Sequence, residues 1–230
     1  MIRILITSFL IVFTGCWLSA TAQPSADALI SGVIKKSALV KSFEADVAID
    51  VDVDFIRIPV KNGKVFYKEP DKFRFRATGF ALVPKKGLNF SVLTMLQQAH
   101  TAIYAGEDEK NHLVKIVPND AAADFVIATV WIEKGKDRIS KMQVTSNGQG
   151  NYTLEFAYGN MQYDLPVSTV VGFDIQQMDI PMKFIGNLKV DPKKAGEKTK
   201  GNVKLTYSNF KVNGSIPDAV FTEEAAAQMH

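Results

Sequence analysis

From Phe43 to Phe55 apolar and polar residues alternate: Phe43, Ala45, Val47, Ile49, Val51, Val53 and Phe55 hold the odd positions. The even positions are Glu44, Asp46, Ala48, Asp50, Asp52 and Asp54. A period of two sends successive side chains to opposite sides of a strand, so this segment predicts one greasy face and one acidic face. At about 3.3 Å per residue the strand would run about 40 Å. Ile56 to Val60 carries its apolar residues at even positions, which predicts a bend or bulge near Phe55-Ile56. Asn62-Gly63 then reads as a hairpin turn, and Val65 to Tyr67 as the strand that leaves it. After a turn at Glu69-Pro70-Asp71, Lys72 to Ala77 alternates Phe73, Phe75 and Ala77 with Lys72, Arg74 and Arg76.

Two segments have helical spacing instead. Ser25 is placed to cap a helix over Ala26 to about Lys41, with Leu29, Ile30, Val33, Ile34, Ser37 and Val40 on one side and Lys35, Lys36 and Lys41 late, where cations favour the dipole. Asn89 opens a shorter one from Phe90 to about His100, striped by Val92, Leu93, Leu96 and Ala99. Strands resume at Ala102 to Ala105 and His112 to Val117. A meander follows over Phe125 to Glu133, Ile139 to Thr145, Asn151 to Tyr158 and Leu165 to Asp174. Pro181 to Val190 is a further strand candidate, Asp191 to Gly201 a lysine-rich loop, and Val203 to Val212 the last strand. About ten strands with two amphipathic helices predict an α+β, mainly antiparallel fold. The economical form is a curved sheet making an incomplete (half) barrel, its concave apolar face covered by the helices. A closed barrel and a sandwich use the same pattern.

The N-terminus reads as a targeting segment: Arg3, the apolar run Ile4 to Phe13, and Ala20-Thr21-Ala22 as an A-x-A cleavage pattern. Residues 1–22 are therefore expected to be a signal peptide, and 23–230 a single domain exported to the periplasm. The apolar run is short for a membrane anchor, which needs about 20 residues. Phe13-Thr14-Gly15-Cys16 also resembles a lipobox, so the alternative is a lipoprotein anchored in the cell envelope through Cys16 and acting as a receptor or assembly scaffold. Cys16 is the only cysteine, and cleavage after Ala22 would remove disulfide, thiol and thiolate-metal chemistry together.

The formal charge of +3 is small for 230 residues, which argues against a nucleic-acid partner. No nucleophile, zinc or phosphate-loop motif includes His100, His112 or His230, so no enzyme activity, cofactor or metal is expected. Asp50, Asp52 and Asp54 would stand about 6.6 Å apart along one strand face, too far to share a cation without other ligands. They read instead as a solvated face paired with Lys72, Arg74 and Arg76. The lysines around the late loop read as a solvated loop.

Two stretches carry a resemblance. Asn62 to Phe75 resembles the strand-turn-strand signature of the LolA-like lipoprotein carriers: a strand ending in an aromatic and a basic residue, a proline turn, then alternating aromatics. Tyr207 to Phe221 is similar to the closing segment of that lipoprotein-sorting superfamily, and a helix leading into a long strand also matches. The resemblance implies a half-barrel around an apolar cavity with a helical lid. It also implies a non-enzymatic carrier that takes acylated lipoproteins or other lipids from an inner-membrane transporter to an outer-membrane receptor. The cavity would be lined by Val47, Ile49, Val51, Val53, Phe73 and Phe75, with Leu93 and Leu96 from the covering helix. The family's lid-latching arginine has Arg57 as its nearest counterpart by strand order. The residues between Ala77 and Ile103, and the loop Asp191 to Gly201, depart from a compact carrier.

Overall fold

The computed structural model describes residues 23–53, 56–70, 72–77, 92–147, 150–175 and 199–222. The expected signal peptide, Cys16, the strand candidate Pro181 to Val190 and His230 lie outside them.

Helix α1 spans Ala26–Ser37, with the Ser25 hydroxyl accepting from the Ala28 amide. It stops short of Lys41 because the chain turns at Ala38-Leu39, where the Val40 amide bonds the Ser37 carbonyl. The strands are β1 (Ser42–Val53), β2 (Ile56–Lys68), β3 (Lys72–Ala77), β4 (His100–Glu107), β5 (Asn111–Pro118), β6 (Phe125–Glu133), β7 (Ile139–Ser146), β8 (Asn151–Tyr158), β9 (Pro166–Ile175) and β10 (Thr199–Val212). Helix α2 spans Val92–Gln97, and its expected opening at Asn89 and Phe90 lies outside the described residues. The strands form one antiparallel sheet in the order β3-β2-β1-β10-β9-β8-β7-β6-β5-β4, open at β3 and β4. That excludes the two-sheet sandwich and the closed barrel.

Asn62-Gly63 is not a hairpin turn. It lies inside β2, with Asn62 opposite Ala48 and Gly63 between Val47 and Ala77. The bend or bulge expected near Phe55-Ile56 falls at Phe55, outside the described residues; β2 has a bulge of its own at Pro59-Val60, facing Asp50 between the pairs Ile49–Lys61 and Val51–Ile58. Proline has no amide to give the ladder, so the irregularity falls there.

Cross-strand partners share a face of the sheet. One row therefore reads Val51–Val203–Val171–Leu154–Met142–Val130–Val114–Tyr104 across eight strands, apolar up to its terminal tyrosine. The next row on the opposite face reads Asp52–Asn202–Gly172–Thr153–Gln143–Thr129–Lys115–Ile103. The expected pairing of the β1 aspartates with Lys72, Arg74 and Arg76 does not form, because β2 lies between β1 and β3. Asp46 instead takes Lys64 of β2 at 2.6 Å and the Asn209 amide of β10 at 2.7 Å, while Asp50 stands opposite Lys204.

Along the apolar face the buried residues form two clusters. The larger joins Ala26, Ile30 and Val33 of α1 and Met95 and Leu96 of α2 to β5, β6, β7 and β8. The smaller centres on Ala45, Val47, Ile49 and Val65 and draws its partly buried members from β1, β3 and β10.

On the other face, the segment after β10 crosses β2 and β3. Ile216 is buried, Lys68 bonds its carbonyl and Asp218, Lys72 also reaches Asp218, and Arg76 bonds the Val220 carbonyl. The two stretches that carried the family resemblance thus meet in space. Their junction is fixed by Asn213, which holds a left-handed φ of 57°. Its side chain accepts from the Lys41 amide at 2.7 Å and donates to the Leu39 carbonyl at 3.0 Å. Asn213→Ala should cost about 2 kcal/mol, from lost hydrogen bonds and a backbone angle that alanine resists. Asn213→Gly should recover part of that in urea unfolding, since glycine accepts the angle.

Candidate functional site

The site takes shape where β1 lies between β2 and β10. Val47 and Ile49 are buried at 3% exposure each, against Val65 of β2 at 2%. Val51 and Phe75 complete the near side, and Val203, Leu205 and Tyr207 of β10 the far side. β-branched residues dominate β1 because they pack well on a pleated surface. At one end the aromatics gather: Phe43 stacks on Tyr67 with centroids 5.5 Å apart and leans on Phe210 at 6.1 Å.

Of the residues expected to line a cavity, Val47, Ile49, Val51 and Phe75 come together in this cluster. Phe73 shares their face, through its pairing with Tyr67, and is 46% exposed on the edge strand. The backbone of Val53 continues β1 opposite Gly201, and Leu93 lies within α2; their side chains lie outside the described residues. Leu96 is 1% exposed and belongs to the other cluster, packed with α1. Arg57 stands opposite Asp52 in the β1–β2 ladder.

The far side, Val203, Leu205 and Tyr207, was missed as lining. Its alternation was visible in the sequence, but nothing local says that the last strand lies beside the first. Tyr207 bonds Thr169, itself buried, and burial pushes its phenol up to about 12, although that hydrogen bond pulls the other way.

Among the described residues two histidines lie outside this cluster, each in local contacts. The His100 Nδ1 lies 2.7 Å from the Gln98 carbonyl. His112 Nδ1 lies 3.3 Å from both the Tyr104 hydroxyl and the Glu107 carboxylate, and Glu107 is tied to Lys134. Among the described residues no group of three or more His, Cys, Asp or Glu could hold a metal ion. None of the described helices is long and apolar enough to cross a membrane.

No family model and no curated protein matches this chain. Solved structures do. A LolA superfamily protein from Nitrosomonas europaea is 13% identical with a TM-score of 0.59, over 88% of this chain and 100% of that one. A DUF1329 family protein from Desulfovibrio piger gives 10% identity and 0.59, over 88% and 99%. A domain named for outer membrane lipoprotein sorting, from Vibrio parahaemolyticus, gives 10% and 0.56, over 87% and 99%. With the single open antiparallel sheet and its long first strand paired to its last, these likenesses establish that the chain has a LolA-like fold.

Proposed function

We propose that this protein is an exported, non-catalytic carrier that binds the acyl chains of lipoproteins or other lipids and transfers them towards the outer membrane. The observation that carries this reading is the apolar face itself. A cross-strand row through Val203, Val171 and Leu154 links the helix-packed cluster to a second cluster that, among the described residues, is built from strands alone. In the proposed working form the sheet curls into a half-barrel with the helices over its concave side. Val47, Ile49, Val51, Val53, Phe73 and Phe75 line the acyl site, with Leu93 and Leu96 on the helix side.

Each methylene withdrawn from water is worth about 0.8 kcal/mol, so shielding a sixteen-carbon chain is worth roughly 12 kcal/mol. A carrier with that much to offer must present a long apolar surface, and the apolar row that begins at Val51 and Val203 supports that reading. Donor and acceptor at the two membranes would be an inner-membrane transporter and an outer-membrane receptor.

Native mass spectrometry of protein from its own envelope fraction tests the reading. Acyl-bearing adducts that leave on delipidation are expected, and the delipidated protein should bind a fluorescent polyene fatty acid. Val51→Asp should weaken that binding at least about tenfold, since a buried carboxylate is strongly disfavoured. Thr206→Asp, on the opposite face of β10, should leave it unchanged. An adduct-free protein that also ignores the fatty acid sinks the proposal.

A further inference from the structure

The solvent face of the sheet has a groove of its own, about 470 Å³ in volume, across β7, β8, β9 and β10. That is within the roughly 300–1,000 Å³ of small-ligand sites. Its floor dips because Gly172 stands at the centre of a cross-strand row, between Thr153 and Asn202. A Cβ on Gly172 would come within 3.0 Å of the Asn202 Oδ1, so any side chain there would fill the dip.

The walls are hydrogen-bonding groups of both senses. Gln143, Asn151 and Asn202 supply amides, and Thr153 a hydroxyl. The charges are compensated in place. Lys200 lies 3.6 Å from Asp174, and Glu155 lies 3.2 Å from Lys141. A groove without net charge attracts neither an anion nor a cation strongly. It offers neutral hydrogen bonding around a floor of Val170, Gly172 and Gly201.

One further residue extends the pattern. The row through Val170 and Glu155 continues to Lys141 and then Trp131. Trp131 is half-buried, with the Lys141 ammonium 5.6 Å from its ring centre. Two strand spacings put its backbone about 10 Å from that of Glu155. Amides, a hydroxyl and compensated charge over a shallow floor, with an indole two strands beyond Glu155, fit an extended ligand with hydroxyls on its edges and C–H groups on its faces.

We propose that this groove, from Asn202 to Trp131, binds a neutral oligosaccharide. The site is on the opposite face from the acyl site and does not depend on it. Trp131 lies beyond the groove's own lining, on the row that continues from Glu155 through Lys141, and a ligand long enough to reach it would change its fluorescence; the one other tryptophan is Trp17. The experiment is a fluorescence titration of the full chain with cellotetraose, maltotetraose and chitotetraose, with Trp131→Phe as the blank.

At least one probe should give a saturable change, weakened about tenfold or more in the Gln143→Ala/Asn202→Ala double variant, whose two positions are exposed. Gly172→Leu should abolish it, and a circular dichroism melt checks that this variant folds. The proposal is overturned if no probe changes Trp131 fluorescence at millimolar concentration. It is equally overturned if the double variant binds as the unaltered protein does.

Discussion

Leu96→Ala should destabilise the protein by about 3 kcal/mol, in the lower half of the range for truncating a buried leucine. Leu96 is 1% exposed, and with Met95 it ties α2 to the cluster formed by α1 and strands β5 to β8. α2 has six residues, and an isolated helix of that length does not form in water, so packing alone holds it. The loss should appear as a lower urea midpoint with an unchanged slope. Faster amide exchange in α2 should accompany it, because a locally anchored element opens first when its anchor is cut. Leu39→Ala is the matched control. That side chain is 60% exposed, and its removal should stay within about 0.5 kcal/mol. A Leu96→Ala variant as stable as the control would mean that α2 is not held by this contact.

Arg138→Ala should cost about 2 kcal/mol at neutral pH, somewhat under the price of breaking a fully buried ion pair. The Arg138 guanidinium makes a two-pronged bond to Glu133 at 2.9 and 3.0 Å, another to Asp164 at 3.0 Å, and lies 4.3 Å from the Tyr158 ring centre. Lys36 of α1 also pairs with Asp164, so the network fastens the end of α1 to the β8–β9 connection. Burial pushes the Glu133 and Asp164 carboxyls up, but their hydrogen bonds and cationic neighbours outweigh it and leave both below their ordinary values. A depressed carboxyl stabilises the fold above its unfolded value, about 4, and loses that contribution as pH falls through its folded value. The gap between the unaltered protein and Arg138→Ala should therefore be widest near neutrality and shrink below about pH 4. Urea unfolding at stepped pH measures it, and a gap that stays constant down to pH 2 would refute the ion-pair account.

The parts of the fold legible in sequence were those set by local pattern. β6 and β8 run over Phe125–Glu133 and Asn151–Tyr158, as their alternation and turn residues required. α1 starts where Ser25 caps it. Non-local pairing misled the rest. Asn62-Gly63 has turn chemistry, yet a turn there would leave much of β1 without the β2 partner that Val47–Gly63 and Ala45–Val65 supply. The ion pairs were misassigned for the same reason: strand neighbours are set by topology, and periodicity does not reveal topology. In the candidate site, the β1 and β3 contributions were readable because they alternate within one connected stretch. The β10 side was not, since its apolar residues become lining only through the pairing of first and last strands.

That pairing constrains when the native state can arise. β1 has β2 on one flank from early in the chain, but its other flank waits for Val203, Leu205 and Tyr207. Until β10 is in place the described strands form two unjoined ribbons, β1 to β3 and β4 to β9, each with two open edges. Contacts of such long sequence separation slow folding, and unpaired edges favour self-association. A chain interrupted before Val212 should therefore accumulate as two aggregation-prone part-sheets rather than as a smaller version of the same protein, since β10 is the strand that joins them.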